Sequence, residues 1–312
     1  MSGPDHPSVA PLVAVIGPTA SGKSAVALAV AEALGDVDLV SVDAMQVYRG
    51  MDIGTAKPTA AERARVRHHL IDLVEPDHDF SVAEFQQHYE RVRSELGEAD
   101  RRAILVGGTG LYHRVVIDRL TLPGEWPELR QQLGADAASV GPEALHERLA
   151  ELDPLAASRM EPTNTRRVVR ALEVTIGSGR PFSSFGPGLE THPPSEVAQV
   201  GLRWDRERLA LRIAERVHAM VDAGFVDEVR VLAASGLSRT ARQALGYREI
   251  LEHLDGSCTL DEAIATTVLR TRQFAIRQLR WFRRDPRVRW VDVVEDPVAE
   301  AAPVIAAALE RP

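Results

Sequence analysis

The sequence predicts an α/β protein, a parallel sheet flanked by helices and interrupted by a helical insertion. Three observations lead there. Short apolar runs of strand length alternate with helical periodicity over residues 12–118 and again after residue 197. The first of these runs passes through a glycine-rich segment directly into a helix. Between about residues 118 and 197 the alternation stops and gives way to prolines and helical segments.

Leu12 to Ile16 (LVAVI) is the first strand and Ser24 to Leu34 an alanine-rich helix stopped by Gly35. Between them Gly17-Pro18-Thr19-Ala20-Ser21-Gly22-Lys23-Ser24 satisfies G-x-x-x-x-G-K-[ST]. Glycines let this backbone wrap an anion, and loop N–H groups and the helix N-terminus point at it. Lys23 adds charge, and the Ser24 hydroxyl can hold Mg²⁺. The fold class is therefore P-loop NTPase-like, with a diphosphate or triphosphate bound at Gly17, Thr19, Ala20, Ser21, Gly22, Lys23 and Ser24. The loop does not by itself say which chemistry follows.

Asp38 to Asp43 reads as a second strand ending in an acid, followed by a long irregular stretch to Pro58. His68 to Val74 is a third strand candidate. Ser81 and Glu84 form a capping box that opens a helix to Gly97, and Arg102 to Val106 is a fourth strand that delivers Gly107-Gly108-Thr109-Gly110. In the insertion, helices are expected over Glu143–Leu152 and Thr163–Ile176, the latter ended by Gly177, with the stretch 177–194 as the exit. Val197 to Trp204 resumes the sheet. Helices follow over Arg206–Ala223, Val226–Ala234 and, from a second capping box at Thr259, to about Arg284; Arg287 to Val293 is a last edge strand. The organisation is thus a core of 1–118 and 198–312 with an insertion of 119–197.

At 312 residues and 45% hydrophobic, the chain can bury a full core. No apolar run reaches the ~18 residues of a membrane span, and the N-terminus lacks a signal-peptide pattern, so a cytoplasmic protein with no membrane partner is expected. The single Cys258 excludes an intramolecular disulfide, and the adjacent His68 and His69 face opposite sides of a strand, which rules out a metal pair. The net charge of −8 argues against a nucleic-acid partner, but residues 270–289 carry eight arginines and one acid. Arg277 and Arg280 stand among them at helix spacing, interleaved with Phe274, Trp281 and Phe282. The arginines are expected to form a binding surface and the aromatics to be mostly core.

The segments GPTASGKS, SVDAMQVYRGMDIGTAKP, GGTGLY, RRVVRALEV and QALGYRE, over residues 12 to about 290, together resemble the bacterial tRNA dimethylallyltransferase family. The resemblance implies transfer of a dimethylallyl group from dimethylallyl diphosphate to N6 of adenosine 37 in the tRNA anticodon loop. It makes Asp43 the acceptor of the amino hydrogen and general base, Thr109 a contact of the reacting site, Lys23 a catalytic group and Arg216, within Arg212-Ile213-Ala214-Glu215-Arg216, a diphosphate ligand. It further implies tRNA contacts at Asp43, Ala44, Met45, Gln46, Thr109, Arg130, Arg166, Arg167, Arg170, Gln243, Gly246 and Tyr247, together with the helix arginines Arg277 and Arg280. The alternative is that Asp43 binds Mg²⁺ through water at the end of its strand, as in a P-loop small-molecule or nucleotide kinase. The 270–289 arginines argue against that reading, because a small metabolite has no use for them. Nothing in the sequence suggests an obligate dimer, so a monomer is expected.

Overall fold

In a computed structural model, residues 11–185, 189 and 191–310 are described. The N-terminal stretch read above for a signal pattern, and parts of the expected 177–194 exit, lie outside them. Backbone contacts divide the chain into two compact units, one reaching to Ile117 and resuming at Pro194, the other spanning Asp118–Pro193.

The first unit begins with β1 (Leu12–Ile16), α1 (Lys23–Leu34), β2 (Val37–Ser41), α2 (Ala60–Arg65), β3 (His68–His69), α3 (Val82–Glu98), β4 (Arg102–Gly107) and α4 (Gly110–Ile117). The second contains α5 (Pro127–Val140), α6 (Pro142–Leu152), α7 (Pro154–Ser158) and α8 (Thr165–Ser178). The chain then returns through β5 (Ala198–Trp204), α9 (Arg206–Asp222), α10 (Phe225–Ser235), α11 (Arg239–Arg242), α12 (Tyr247–Leu254), α13 (Leu260–Phe282), β6 (Val288–Val293) and α14 (Pro297–Leu309).

All six strands are parallel, in the order β3-β2-β4-β1-β5-β6. Every residue of β1 and β2 is buried, as expected of parallel strands covered by helices on both faces. The strand order reverses beside β1, so the loop leaving its C-terminal end opens into the crevice where α/β sheets bind ligands. Among the described residues, no helix is long and apolar enough to cross a membrane.

The expected third strand is much shorter than His68–Val74. Leu70 (φ 61°) and Asp72 (φ 54°) are left-handed, which breaks the extended backbone, and the Asp72 carboxylate instead meets Lys57 and Arg63. In the second unit, α8 runs past Gly177 to Ser178. Gly177 is an interior residue because the Trp126 ring packs on its Cα, and a Cβ there would come within 2.2 Å of that ring. The left-handed stop is Gly179, at φ 68°. The helices α5, α7 and α14 were not foreseen. Each starts with proline at its first turn, where the missing N–H costs nothing, so these prolines initiate helices.

Candidate active site

The loop Gly17–Ser24 is a left-handed turn leading into α1. Ala20 (φ 62°) and Gly22 (φ 93°) turn successive N–H groups toward one concave side. Ala20 holds a conformation that costs a non-glycine residue about 1–2 kcal/mol, and its surroundings supply the constraint. The Arg212 Nε–H donates to the Ala20 carbonyl (3.0 Å), the Trp204 indole N–H donates to the Ser21 carbonyl (3.0 Å), and the Arg212 guanidinium stacks 4.4 Å over Trp204. The first turn of α1 has no side-chain cap, so its N–H groups are free for an anion.

Lys23 Nζ donates to the Pro18 carbonyl at 2.7 Å. Burial and the nearby positive charge of Arg216 push its pKa down to about 7, with Asp43 opposing them. Burial likewise lowers the Arg216 pKa, again opposed by Asp43. Arg212 and Arg216 lie one turn apart with separate tasks: the first supports the loop backbone, and the second lines the cavities described next.

Asp43 follows β2. Its Oδ1 accepts the N–H groups of Met45 (2.8 Å) and Gln46 (3.4 Å), which fixes the carboxylate in its own turn and leaves Oδ2 for another donor. Thr109, after β4, accepts the Ala44 N–H through Oγ1 (3.2 Å), and its hydroxyl proton stays available to donate. The irregular stretch after Asp43 is held in place by buried Lys57, whose ammonium meets the Tyr48 carbonyl (2.7 Å), Asp52 (2.6 Å) and Asp72 (2.6 Å). Glu228 on α10 accepts three consecutive N–H groups from the same stretch, those of Asp52, Ile53 and Gly54, and the Tyr247 hydroxyl at 2.5 Å.

Two of the cavities in this unit meet at Asp43. The first, about 230 Å³, is lined by the phosphate-binding loop, Ser24, Gln46 and His68. The second, about 460 Å³, is lined by Met45, Thr109, Phe225, Gln243, Tyr247 and Arg277 among others. Thr19, Asp43, Thr55, Arg216 and Phe274 line both. An anion-binding half and a larger, more apolar half therefore share a wall that carries one carboxylate and one guanidinium.

The sequence profile of the family described as IPP transferase matches residues 46–285. The chain belongs to the IPP transferase family. It is 50% identical to a tRNA dimethylallyltransferase of Pseudarthrobacter chlorophenolicus over 94% of this chain and 97% of that protein. It is also 50% identical to one of Streptomyces coelicolor, over 93% and 92%. The crystal structure of the full-length tRNA isopentenylpyrophosphate transferase of Bacillus halodurans superposes with a TM-score of 0.68, at 41% identity and covering 96% of this chain and 97% of that one. These relatives are transferases, and the kinase reading of the P-loop is set aside.

Within this IPP transferase fold, the arginines singled out from the sequence separate into two kinds. Arg166, Arg167, Arg277 and Arg280 are exposed. Arg130 and Arg170 instead grip the fully buried Glu173. Arg130 does so through Nε (2.7 Å) and Nη2 (3.0 Å), and Arg170 lies 2.9 Å away, while the Trp126 N–H donates to the same carboxylate at 2.8 Å. Arg270 is likewise paired with the buried Glu249. Gly246 and Tyr247 are buried and shape the wall of the larger cavity, whereas Gln243 is exposed at its edge.

Sequence reasoning missed Gln278. Buried on α13, it accepts the Thr19 N–H (2.9 Å) and donates to the Gly108 carbonyl (2.9 Å), tying the phosphate loop to the turn that carries Thr109. The signal was a glutamine in the buried stripe Ala275, Gln278, Phe282, at i, i+3 and i+7. Gln278→Leu leaves both backbone groups without partners. It is expected to raise the KM for the diphosphate donor about tenfold, as follows from one or two lost hydrogen bonds, with tRNA affinity unchanged; steady-state kinetics against equilibrium tRNA binding checks it. Of the α13 aromatics, Phe282 is core and Trp281 packs against it with its ring on Gly110, as expected, whereas Phe274 is half-buried on the cavity wall.

Proposed function

We propose that this chain transfers the dimethylallyl group of dimethylallyl diphosphate to the exocyclic N6 of adenosine 37 in tRNA and releases diphosphate. The observation that carries the reading is the shared wall: Asp43 and Arg216 line both the cavity on the phosphate-binding loop and the larger cavity beside it.

The diphosphate lies on the N–H groups of Ala20 and residues 22–24, with Lys23 and Arg216 beside it. As the C1–O bond breaks, its electron pair goes to the diphosphate, and these cations stabilise the charge where it grows. Bringing a dianion beside Lys23 restores its proton, because an adjacent opposite charge favours the ammonium form. The purine enters from the larger cavity, flipped out of the anticodon loop. Its amino group donates to Asp43 Oδ2, the oxygen not engaged by Met45 and Gln46. That hydrogen bond raises the electron density of a weakly nucleophilic amine and takes up its proton as the C1–N6 bond forms.

The residues also fit Mg²⁺. Ser24 presents an exposed hydroxyl at the first cavity, and no cluster of three or more His, Cys, Asp or Glu among the described residues offers an alternative site. Ser24 with the donor's phosphate oxygens would hold the ion, which when bound neutralises charge on the leaving group.

Arg166, Arg167, Arg277 and Arg280 meet the tRNA backbone, and the protein works as a cytoplasmic monomer. Arg167→Ala and Arg280→Ala are each expected to weaken tRNA binding and to reduce the slope of log affinity against log salt by about one, read from titrations at several ionic strengths.

The reading itself is tested by incubating the protein with labelled dimethylallyl diphosphate and total tRNA from a strain lacking this modification. Label recovered in N6-dimethylallyladenosine after digestion is the expected result. Unlabelled tRNA together with consumption of ATP would overturn it.

A further inference from the structure

Five residues line both cavities. Thr19, Asp43, Thr55 and Arg216 are polar, and Phe274 is the only carbon-rich one. A five-carbon group handed from diphosphate in one cavity to a purine in the other must cross that junction. Resting on the function proposed above, we infer that the Phe274 ring is the face against which the dimethylallyl group lies and against which its positive charge develops during transfer.

The chemistry asks for such a surface. When the C1–O bond of an allylic diphosphate breaks, the electron pair leaves with the oxygen and the carbon fragment becomes electron-poor over C1 to C3. The bond to N6 closes that deficit with the amine lone pair, and the N6 proton passes to Asp43. Between the two events the fragment needs stabilisation that neither donates electrons irreversibly nor hydrates it. A carboxylate could trap it as an ester and a hydroxyl as an ether, but an aromatic face attracts a cation through its quadrupole and forms no bond. The exposed Arg277 guanidinium, which lines the larger cavity, lies 5.8 Å from the ring centroid, so the ring already attracts one cation.

Its placement is held from the next turn. Gln278, four residues on along the same helix, is fixed to the Thr19 N–H and the Gly108 carbonyl, so the stretch of α13 that carries Phe274 is pinned to the loop that binds the leaving group. The ring therefore keeps its position relative to the diphosphate without a hydrogen bond of its own.

The test replaces Phe274 by mono-, di- and trifluorinated phenylalanine, which keep the shape of the ring while draining its face of electron density, and by Phe274→Leu. Single-turnover transfer from labelled dimethylallyl diphosphate is measured beside tRNA affinity. The expected result is a stepwise fall in the transfer rate with each fluorine, reaching about 10- to 30-fold for the trifluoro ring and for leucine, at unchanged tRNA affinity. A rate independent of fluorination overturns the inference, as does a loss confined to tRNA binding, which would mean that the ring stacks on the base instead. The fluorinated series is isosteric, so it decides the matter even where Phe274→Leu fails to fold. If the unsubstituted protein transfers no label, the functional reading has failed, and the two failures are distinct.

Discussion

Asp43→Ala is expected to lower kcat by about 10²–10⁴ while leaving tRNA affinity nearly intact, the range associated with removal of a general base. In barrier terms this is about 3–5 kcal/mol. The division between turnover and binding follows from geometry. The carboxylate lies on the wall between the two cavities, at the reacting amine, so its loss strikes that amine and spares the phosphate contacts proposed for the exposed arginines. Because Oδ1 also accepts the Met45 and Gln46 N–H groups, alanine additionally loosens the start of the 44–58 stretch. Asp43→Asn separates the two effects, since an amide oxygen can still accept those N–H groups but is not a base. If Asn restores much of the turnover lost in Ala, Asp43 acts by positioning; if both are equally slow, it acts as the base. Single-turnover kinetics with saturating tRNA reads the difference.

How far the site was legible before the structure depended on whether its parts are local. The phosphate loop was readable because its chemistry sits in eight consecutive residues with a strand before and a helix after. The acid at the end of β2 was readable because parallel sheets place functional groups at strand C-termini. Gln278 and Glu228 were not, because each acts on residues over a hundred positions away: Gln278 on Thr19 and Gly108, Glu228 on the N–H groups of Asp52 to Gly54. In sequence these are ordinary members of amphipathic helices. The arginines show the opposite failure. Arg130 and Arg270 carry the same charge as their exposed neighbours, and no spacing rule reports that a buried carboxylate is waiting for them. The strands and helices ended where backbone chemistry was explicit, at Gly35 or in the capping boxes at Ser81 and Thr259. They were misplaced where a ring contact decided, as at Gly177.

Glu173→Ala should destabilise the 118–193 unit by about 3–5 kcal/mol, the cost of leaving the partners of a buried ion pair uncompensated. The carboxylate is fully buried and holds three donors: Arg130, Arg170 and the Trp126 N–H. Burial alone would raise its pKa, but these hydrogen bonds and charges outweigh it and hold it below the usual carboxylate value. A folded value below the unfolded one means that the stabilisation is fully present above the unfolded pKa of about 4.3 and is lost as pH falls through the folded value. The difference between wild type and Glu173→Ala is therefore expected to be constant from pH 5 to pH 8 and to shrink below about pH 4. Urea unfolding at several pH values, with hydrogen exchange localised to residues 118–193, measures it, and a difference that grows on acidification would contradict the assignment. The same measurement divides the arginines. Arg130→Ala should lose stability in step with any loss of tRNA affinity, because its guanidinium is committed to Glu173. Arg167→Ala, exposed in the first turn of α8, should lose affinity with stability unchanged, since its side chain bonds no buried group among the described residues.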